Sequence, residues 1–242
     1  MRAFVYCIIL FSLAFSACNS ADQPTPPPVT ALTAQQQVQL SVDSLKAACS
    51  EGDLILHLND DIVGSTIRNM NEKDKSFSHS GIVVIRDGKK MVCNIYPALK
   101  PDSKTDTIRY EPLDSFLNPT LNLDAGLFRY DLSPLEKKSF LATLEEMKAK
   151  NPHFDERYDY STDDKLYCSE MISKALVKAT NGRYTFKKIT LSDQMVRLFM
   201  IYYANKKYTE QEVRNMQYVS IDNLYNIPQC KEIMRVHLKY LP

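Results

Sequence analysis

The chain has 242 residues, of which 44% are hydrophobic and 24% charged, and its formal net charge is +1. These values are typical of a folded, soluble protein that is long enough to bury one sizeable core. Because neither a basic stripe nor an acidic tail accompanies its 30 basic and 29 acidic side chains, the composition gives no support to a nucleic-acid partner.

The first residues indicate export. Arg2 is followed by an apolar run from Ala3 to Ala14, which is too short to span a bilayer comfortably and is typical of a signal-peptide core. The run ends in the sequence FSAC, which resembles the lipobox of bacterial lipoproteins, with Phe15 in the place of the usual Leu. The resemblance implies a signal peptide over residues 1–17 and lipidation of Cys18. An ordinary secretory signal with an incidental cysteine is the alternative.

The segment after the cleavage site predicts a tether. Residues 19–31, NSADQPTPPPVTA, are polar and Pro-rich, so they cannot bury an apolar face and are expected to be extended. With the lipidated Cys18, the predicted tether covers residues 18–31, and a single domain is expected over residues 32–242. The protein is therefore expected to be held by lipid at the bacterial cell envelope, in the periplasm or at the surface, with its oligomeric state open.

Six cysteines are present, and four remain once Cys7 leaves with the signal and Cys18 is lipidated. Neither a C-x-x-C pair nor a Cys/His cluster appears, so no metal or other cofactor is expected. Four cysteines in an exported protein could form disulfides. If Cys168 works as a thiol, the pairing among the other three stays open: Cys49, Cys93 and Cys230.

The first half of the mature chain predicts one helix followed by short strands. Thr33 opens the helix, whose apolar residues recur on one face as far as Cys49. The elements that follow are a strand at 53–58, a helical turn within 61–70, strands at 80–86 and 91–96 joined by the turn DGKK, a strand at 107–113, a helical turn at 113–117 and a strand at 125–132.

The second half is mainly helical. Ser133, Pro134 and Glu136 form a capping-box signature for a helix that extends to about Lys150. A polar, aromatic-rich loop at 151–164 precedes further elements, which are a helix within 165–180, a helix at 191–205 and a mixed C-terminal end. The pattern predicts an α+β domain in which helices flank a mostly antiparallel sheet.

Cys168 is the first candidate for chemistry. It follows the polar loop and stands at the start of a predicted helix, whose N-terminal partial charge favours thiolate. A thiolate there suits attack on a carbonyl carbon. The alternative is a small buried apolar side chain.

His79 is the second candidate. It stands between two serines at the start of an apolar strand, where its imidazole could take a thiol proton and pass it to a leaving group. A histidine satisfied by the flanking serines is the alternative for this residue alone.

Four segments then resemble the YiiX/YaeF-like proteins, permuted relatives of the NlpC-type papain-fold amidases. They are GDLILH at 52–57, FSHSGIVV at 77–84, EPLDSFL at 111–117 and LYCSEMI at 166–172. With SIDNLYN at 220–226, the resemblance covers roughly residues 51–228. It implies a circularly permuted papain-like fold, in which the histidine precedes the cysteine, with Cys168 as nucleophile and His79 as base.

The resemblance also implies a third group that orients the base. The family usually supplies a Glu in a V-x-E-A context, and this sequence has Asn94 in that place. An amide oxygen accepts the hydrogen bond from the imidazole but cannot offset an imidazolium charge. A Cys-His-Asn hydrolase is therefore expected, and Asn94→Glu should change the rate modestly or raise it. A strand-end Asn of no consequence is the alternative.

Three further residues are expected to support the site. Glu170 is predicted to stabilise the Cys168 turn near the helix N-terminus, Tyr167 to pack or to line a substrate groove, and Asp53 to form a structural turn that could contact substrate. His57, His153 and His237 have no such context.

The expected function is a lipid-anchored cysteine amidase or peptidase that cuts an amide bond of a cell-envelope peptide through a thioester. A thiol acyltransferase or lipid hydrolase of the lecithin retinol acyltransferase type is one alternative, and a binding module with weak catalysis is another. The amidase predicts an accessible thiol of low pKa at Cys168.

Overall fold

The computed structural model describes residues 31–97, 106–202 and 208–239. Contacts divide the chain into Met1–Leu32 and Thr33–Pro242, and every described helix and strand belongs to the second unit. The predicted signal peptide, the predicted lipidation site Cys18 and nearly all of the predicted tether lie outside the described residues.

Eight helices and eight strands occur along the described ranges. The helices are α1 (Ala34–Ala48), α2 (Ile62–Arg68), α3 (Leu113–Phe116), α4 (Pro134–Ala149), α5 (Cys168–Ala179), α6 (Asp193–Tyr202), α7 (Glu210–Asn215) and α8 (Ile221–Tyr225). The strands are β1 (Leu54–Asn59), β2 (His79–Arg86), β3 (Lys89–Asn94), β4 (Arg109–Pro112), β5 (Asn122–Tyr130), β6 (His153–Phe154), β7 (Lys165–Leu166) and β8 (Cys230–His237).

The central sheet has six strands in the order β4-β3-β2-β1-β5-β8. Every neighbouring pair in it is antiparallel. The short strands β6 and β7 form a separate parallel pair. The predicted α+β class with a mostly antiparallel sheet is therefore confirmed.

Local sequence signals place several of these elements. Ser133 caps α4 through the predicted capping box, because its hydroxyl accepts the Glu136 N–H and the Glu136 carboxylate accepts the Ser133 N–H. The β2–β3 turn places Asp87 at φ 49° and Gly88 at φ 72°, the positive values that a two-residue hairpin turn of this kind requires. Both predictions are confirmed.

Helices cover both faces of the sheet, because its central strands alternate apolar side chains to either side. On one face the core lies between the sheet and helices α4 and α5, and includes Leu54, Leu56, Ile82, Val84, Phe140, Met171, Ile172 and Leu176. On the other face the core lies against α1 and α3, and includes Val42, Leu45, Ile55, Val83, Val92, Leu113, Phe116 and Leu127.

The C-terminal end differs from the prediction. The sequence indicates only a mixed end after residue 205, whereas β8 completes the sheet beside β5. Helices α6 and α7 add a third apolar cluster, which includes Tyr167, Met195, Val196, Phe199 and Val213. Within the described ranges, no helix combines the length and apolar character that a transmembrane span needs.

Candidate active site

Cys168 is the first residue of α5, and Tyr167 is the residue that precedes the helix. The backbone N–H of Tyr167 donates to the Glu170 carboxylate over 3.3 Å, which closes the first turn. The exposed fraction of Cys168 is only 7%. The helix start thus holds the thiol against the sheet and not in open solvent.

The Ser80 hydroxyl and backbone groups of Ser80, Ser169 and Cys168 itself lie near the Cys168 sulfur, although the Ser80 hydroxyl has no partner of regular hydrogen-bonding geometry among the described residues. These groups favour the thiolate, but burial has the larger effect and raises the pKa of the thiol above its ordinary value. The expectation of an accessible thiol of low pKa therefore differs from the structure. The difference arises because desolvation outweighs the helix terminus.

Ser80 directly follows His79, so the sulfur lies against the residue next to the candidate base. Ser80 points to the side of the sheet that α5 covers, whereas the His79 ring lies with His57 and Phe116, at centroid distances of 5.2 and 5.8 Å. No hydrogen bond from the described residues reaches His79 Nε2. Cys168 and His79 are thus brought to the same end of β2 without a hydrogen bond between the sulfur and this nitrogen.

Asn94, at the end of β3, acts on His79. Burial lowers the pKa of the imidazole, and the Asn94 side chain opposes this as an acceptor that favours the protonated form. The contact is looser than a regular hydrogen bond, because His79 Nε2 and Asn94 Oδ1 are buried atoms without a partner of hydrogen-bonding geometry among the described residues. A nitrogen that can donate and an oxygen that can accept therefore lie unpaired in the same buried place.

His79 is 5% exposed, and its pKa lies well below the ordinary value. Burial is the main cause, and the neighbouring His57 and Arg109 disfavour a second positive charge. The imidazole is therefore neutral at physiological pH, which is the form that can accept a proton.

Sequence reasoning missed His57 and Tyr96 as neighbours of the site. The Tyr96 ring stacks on His79 with centroids 3.7 Å apart and planes at 17°. His57 Nδ1 lies 2.8 Å from the carbonyl oxygen of Phe116 and must donate to it, so Nε2 accepts from the Tyr96 hydroxyl at 3.2 Å. Only strand pairing, with His57 opposite His79, reveals this cluster.

Glu170 is fully buried and lies 2.8 Å from the Lys174 ammonium. Burial raises the pKa of its carboxyl group to about 8, although Lys174 and the Tyr167 N–H act in the opposite direction. The structure places Glu170 in the first turn of α5, as predicted for a residue that supports Cys168.

The raised pKa of Glu170 predicts a pH-dependent stability. A carboxyl group whose folded pKa exceeds its ordinary 4.5 stabilises the fold below that value and loses the contribution as pH rises through about 8. We expect Glu170→Gln to remove this loss, so that the variant gains stability relative to the wild type between about pH 5 and about pH 9. Urea unfolding of the wild type and of Glu170→Gln at both pH values measures this difference in the free energy of unfolding.

The matched control for this experiment is Glu146→Gln. Glu146 is an exposed carboxylate of α4 that pairs with Lys178 of α5, the helix that contains Glu170. Lys178 lowers the pKa of Glu146, so this carboxylate is ionised throughout the pH range of the experiment. Equal pH slopes for Glu170→Gln and the wild type would contradict the assignment.

Tyr167 and Asp53 take structural positions. Tyr167 is 1% exposed, and its hydroxyl accepts the Val219 N–H at 2.9 Å. Asp53 is 2% exposed and accepts two hydrogen bonds from Arg129, each of 2.7 Å. Asp53 stands at the opposite end of β1 from His57, about 13 Å along the strand, so the structure does not bring it to the site.

The four cysteines within the described ranges, Cys49, Cys93, Cys168 and Cys230, are free thiols. In that part of the chain, no three or more His, Cys, Asp or Glu side chains come together in a way that could hold a metal ion. Cys168 is therefore present as the thiol that a nucleophile requires.

Comparisons with known proteins agree with this fold. The model of a family described as permuted papain-like amidase enzyme, YaeF/YiiX, C92 family, matches residues 48–233. A crystal structure of metalloprotein yiiX from Escherichia coli O157:H7 shares the fold, with a TM-score of 0.60 and 19% identity over 77% of this chain and 97% of that chain. No curated protein matches the chain.

The Escherichia coli protein is named as a metalloprotein. The described side chains of the present chain do not gather into a set that could ligate a metal ion, so no step is assigned to a metal. The family match covers more than half of the sequence and includes the segments that carry both His79 and Cys168. The chain therefore belongs to the YaeF/YiiX (C92) family of permuted papain-like amidases.

Proposed function

We propose that the protein is a cysteine amidase or peptidase in which Cys168 is the nucleophile, His79 the base and Asn94 the group that orients the base. The observation that carries the proposal is the meeting of three elements at one end of β2. The sulfur at the start of α5 lies against Ser80, the imidazole occupies the preceding residue, and the Asn94 oxygen lies unpaired beside it.

The unpaired atoms favour one tautomer of His79. If Nε2 carries the proton and donates to Asn94 Oδ1, both buried atoms gain a partner. Nδ1 is then the free, basic nitrogen, and it is the one that must reach the sulfur. The sulfur lies near Ser80, whose side chain points to the other face of the sheet from the His79 ring, so the sulfur and Nδ1 must meet around the end of β2.

The reaction then proceeds in two balanced halves. His79 Nδ1 takes the thiol proton as the sulfur attacks the amide carbon, and the imidazolium gives that proton to the departing amine, which leaves a thioester on Cys168. A water molecule then loses a proton to the imidazole and attacks the thioester. The carboxylic acid departs, and the sulfur recovers its proton.

The start of α5 supplies the electrostatic part of the mechanism. The backbone N–H groups of Cys168 and Ser169 favour the thiolate, and in this proposal they are also the donors that stabilise the negative charge developing on the carbonyl oxygen. Because burial keeps the thiol protonated in the absence of substrate, proton transfer to the neutral imidazole accompanies the attack and does not precede it.

We assign substrate access to a cleft of about 290 Å³. Cys168, His79 and Asn94 do not line it, but Pro97, which does, follows Tyr96, and Lys165, which also does, comes three residues before Cys168. Three residues of extended chain span at most about 11 Å, which is the largest distance along the chain that a substrate in the cleft would have to cover from Lys165 to the thiol residue. Its lining mixes both charges and includes Asp106, His153, Asp155, Glu156 and Arg157.

The substrate class and the location belong to the same proposal. The lipobox-like sequence before Cys18 and the Pro-rich segment 19–31 support a lipid-anchored enzyme of the bacterial cell envelope. Peptide amides abound there, and a cleft with charges of both signs suits a peptide that carries both. We therefore propose a cell-envelope peptide of the peptidoglycan type, or an aminoacyl amide, as substrate.

A binding module on the same fold is the second candidate. The observation in its favour is the burial of the site, since Cys168 and His79 are 7% and 5% exposed. In such a module, substrate would occupy the cleft without reaching the sulfur.

Mass spectrometry of products distinguishes the two candidates. We expect the wild type to convert at least one member of a panel of muropeptides, aminoacyl amides and lipid esters, and Cys168→Ala to convert none. Cys230→Ala is the matched control, because Cys230 is a free thiol of β8 outside the site. Equal products from the wild type and Cys168→Ala would rule out the cysteine mechanism, and conversion of lipid esters alone would favour the lipid-hydrolase alternative.

A further inference from the structure

The orientation of the Asn94 amide is determined by its surroundings. Asn94 Nδ2 donates to the Val92 carbonyl oxygen at 3.2 Å and to Glu111 Oε2 at 3.0 Å. An ionised carboxylate and a carbonyl can only accept, so the NH₂ end of the amide must face them. Oδ1 therefore points the other way, as an unpartnered buried acceptor among the described residues.

The position of Glu111 follows from sheet register. On β4, Glu111 lies opposite Val92 and Arg109 lies opposite Asn94. Residues that pair, or that alternate along one strand, share a face of the sheet. Glu111 and Asn94 are thus diagonal neighbours, on the face where His79 meets His57 and Phe116.

Charge around Glu111 is compatible with this contact. Glu111 is half-buried, and burial raises the pKa of its carboxyl group, whereas the Asn94 hydrogen bond and the Arg109 charge lower it. The Arg109 guanidinium lies over the Tyr96 ring at 4.7 Å, and that ring stacks on His79. Asn94 thus presents an acceptor oxygen to the imidazole, and the Glu111 carboxylate contacts the other end of the same amide.

We propose that Glu111 is a positioning residue for the base, because it holds the Asn94 amide with Oδ1 towards His79. Through Asn94, its carboxylate also supplies the negative charge that a Glu at position 94 would provide. The proposal rests on the proposed function of His79 and Asn94 and extends it to a residue on another strand. A tightly packed polar pair at a strand end with no effect on His79 is the alternative, and substitutions at positions 111 and 94 separate the two.

Glu111→Gln tests the proposal, because Gln has the same shape but offers an NH₂ group that can donate to Asn94 Oδ1. The amide is then free to turn, and its oxygen is lost to the imidazole. We expect kcat to fall about 10- to 100-fold, as for other partners that orient a reacting histidine, with little change in KM. We also expect the His79 Nε2–H signal in nitrogen-15 NMR to shift or disappear.

A compensating change makes the test specific. Asn94→Glu alone places a second carboxylate beside Glu111, and two like charges in contact oppose ionisation. We therefore expect a loss of activity and not the modest change or gain that the sequence suggests. Asn94→Glu combined with Glu111→Gln restores one carboxylate and one amide in exchanged positions. We expect this double variant to be at least about fivefold more active than Glu111→Gln.

Glu145→Gln is the matched control, since Glu145 hydrogen-bonds Tyr110, the residue before Glu111 on β4, and its side chain is 46% exposed. It should retain wild-type kcat and an unchanged His79 signal. Glu111→Gln with wild-type kcat and an unchanged His79 signal, or a double variant no better than Glu111→Gln, would overturn the proposal. If Cys168→Ala abolishes turnover while Glu111→Gln does not alter it, the role of Glu111 is wrong and the proposed function stands. If the wild type shows no turnover, the His79 signal in the NMR experiment still tests the role of Glu111.

Discussion

Replacing His79 by Gln is expected to lower kcat/KM by about 10²- to 10⁴-fold, which is the range that general acid–base groups contribute. We expect a large effect because the thiol is protonated in the resting enzyme. Burial raises the pKa of Cys168, so the attack needs a neutral base at the moment of reaction. Gln has similar size and hydrogen-bonding groups but cannot take the proton.

Steady-state kinetics on the substrate found for the wild type measures this effect. His237→Gln is the matched control, because His237 lies in β8 with its side chain 82% exposed and pairs with Asp124 outside the site. It should leave kcat/KM within about twofold of the wild type. A His79→Gln variant that keeps more than a tenth of the activity would show that another group removes the thiol proton.

Replacing Asp222 by Asn is expected to reduce the free energy of unfolding by about 2 to 4 kcal/mol, because hydrogen bonds to a buried charge are strong and their donors would lose a partner. Asp222 is fully buried. Its carboxylate accepts the backbone N–H groups of Glu72, Lys73 and Asp74 at 3.1, 2.7 and 3.1 Å. The Asp222 side chain therefore attaches the loop that leads to His79 to α8 through three hydrogen bonds.

Urea unfolding of the two proteins gives the comparison. Asp193→Asn is the matched control, since Asp193 pairs with Arg214 at the surface and its side chain is 75% exposed; exposed pairs contribute at most about 1 kcal/mol. A loss below about 1 kcal/mol for Asp222→Asn would mean that the loop before β2 is held by other contacts.

Local signals in the sequence predict much of the fold. The helix start at Ser133 and the hairpin turn at Asp87 and Gly88 need only neighbouring residues, and both predictions are confirmed. Strand β8 escapes prediction because it lies at the edge of the sheet, with its side chains exposed or half-buried. Its sequence therefore lacks the alternation of buried and exposed residues that marks a strand with one covered face.

The candidate site also has residues that local sequence predicts and residues that it does not. A histidine before an apolar strand and a cysteine at a helix start can be recognised locally, and the family resemblance relates the two. The parts contributed by Glu111, His57 and Tyr96 depend on which strands pair and in which register. A one-residue change of register would turn Glu111 to the other face of the sheet, so its contact with Asn94 cannot be deduced from spacing.

The order of strands in the sheet has a consequence for how the protein is made. Strands β1 to β5 precede Cys168 in the chain and pair mainly with near neighbours in sequence. A chain that emerges N-terminus first therefore presents the proposed base and its surrounding strands before the proposed nucleophile. The proposed site is complete only when the helix that starts at residue 168 docks on these strands, so a chain that stops short of this helix would contain the proposed base without the proposed nucleophile.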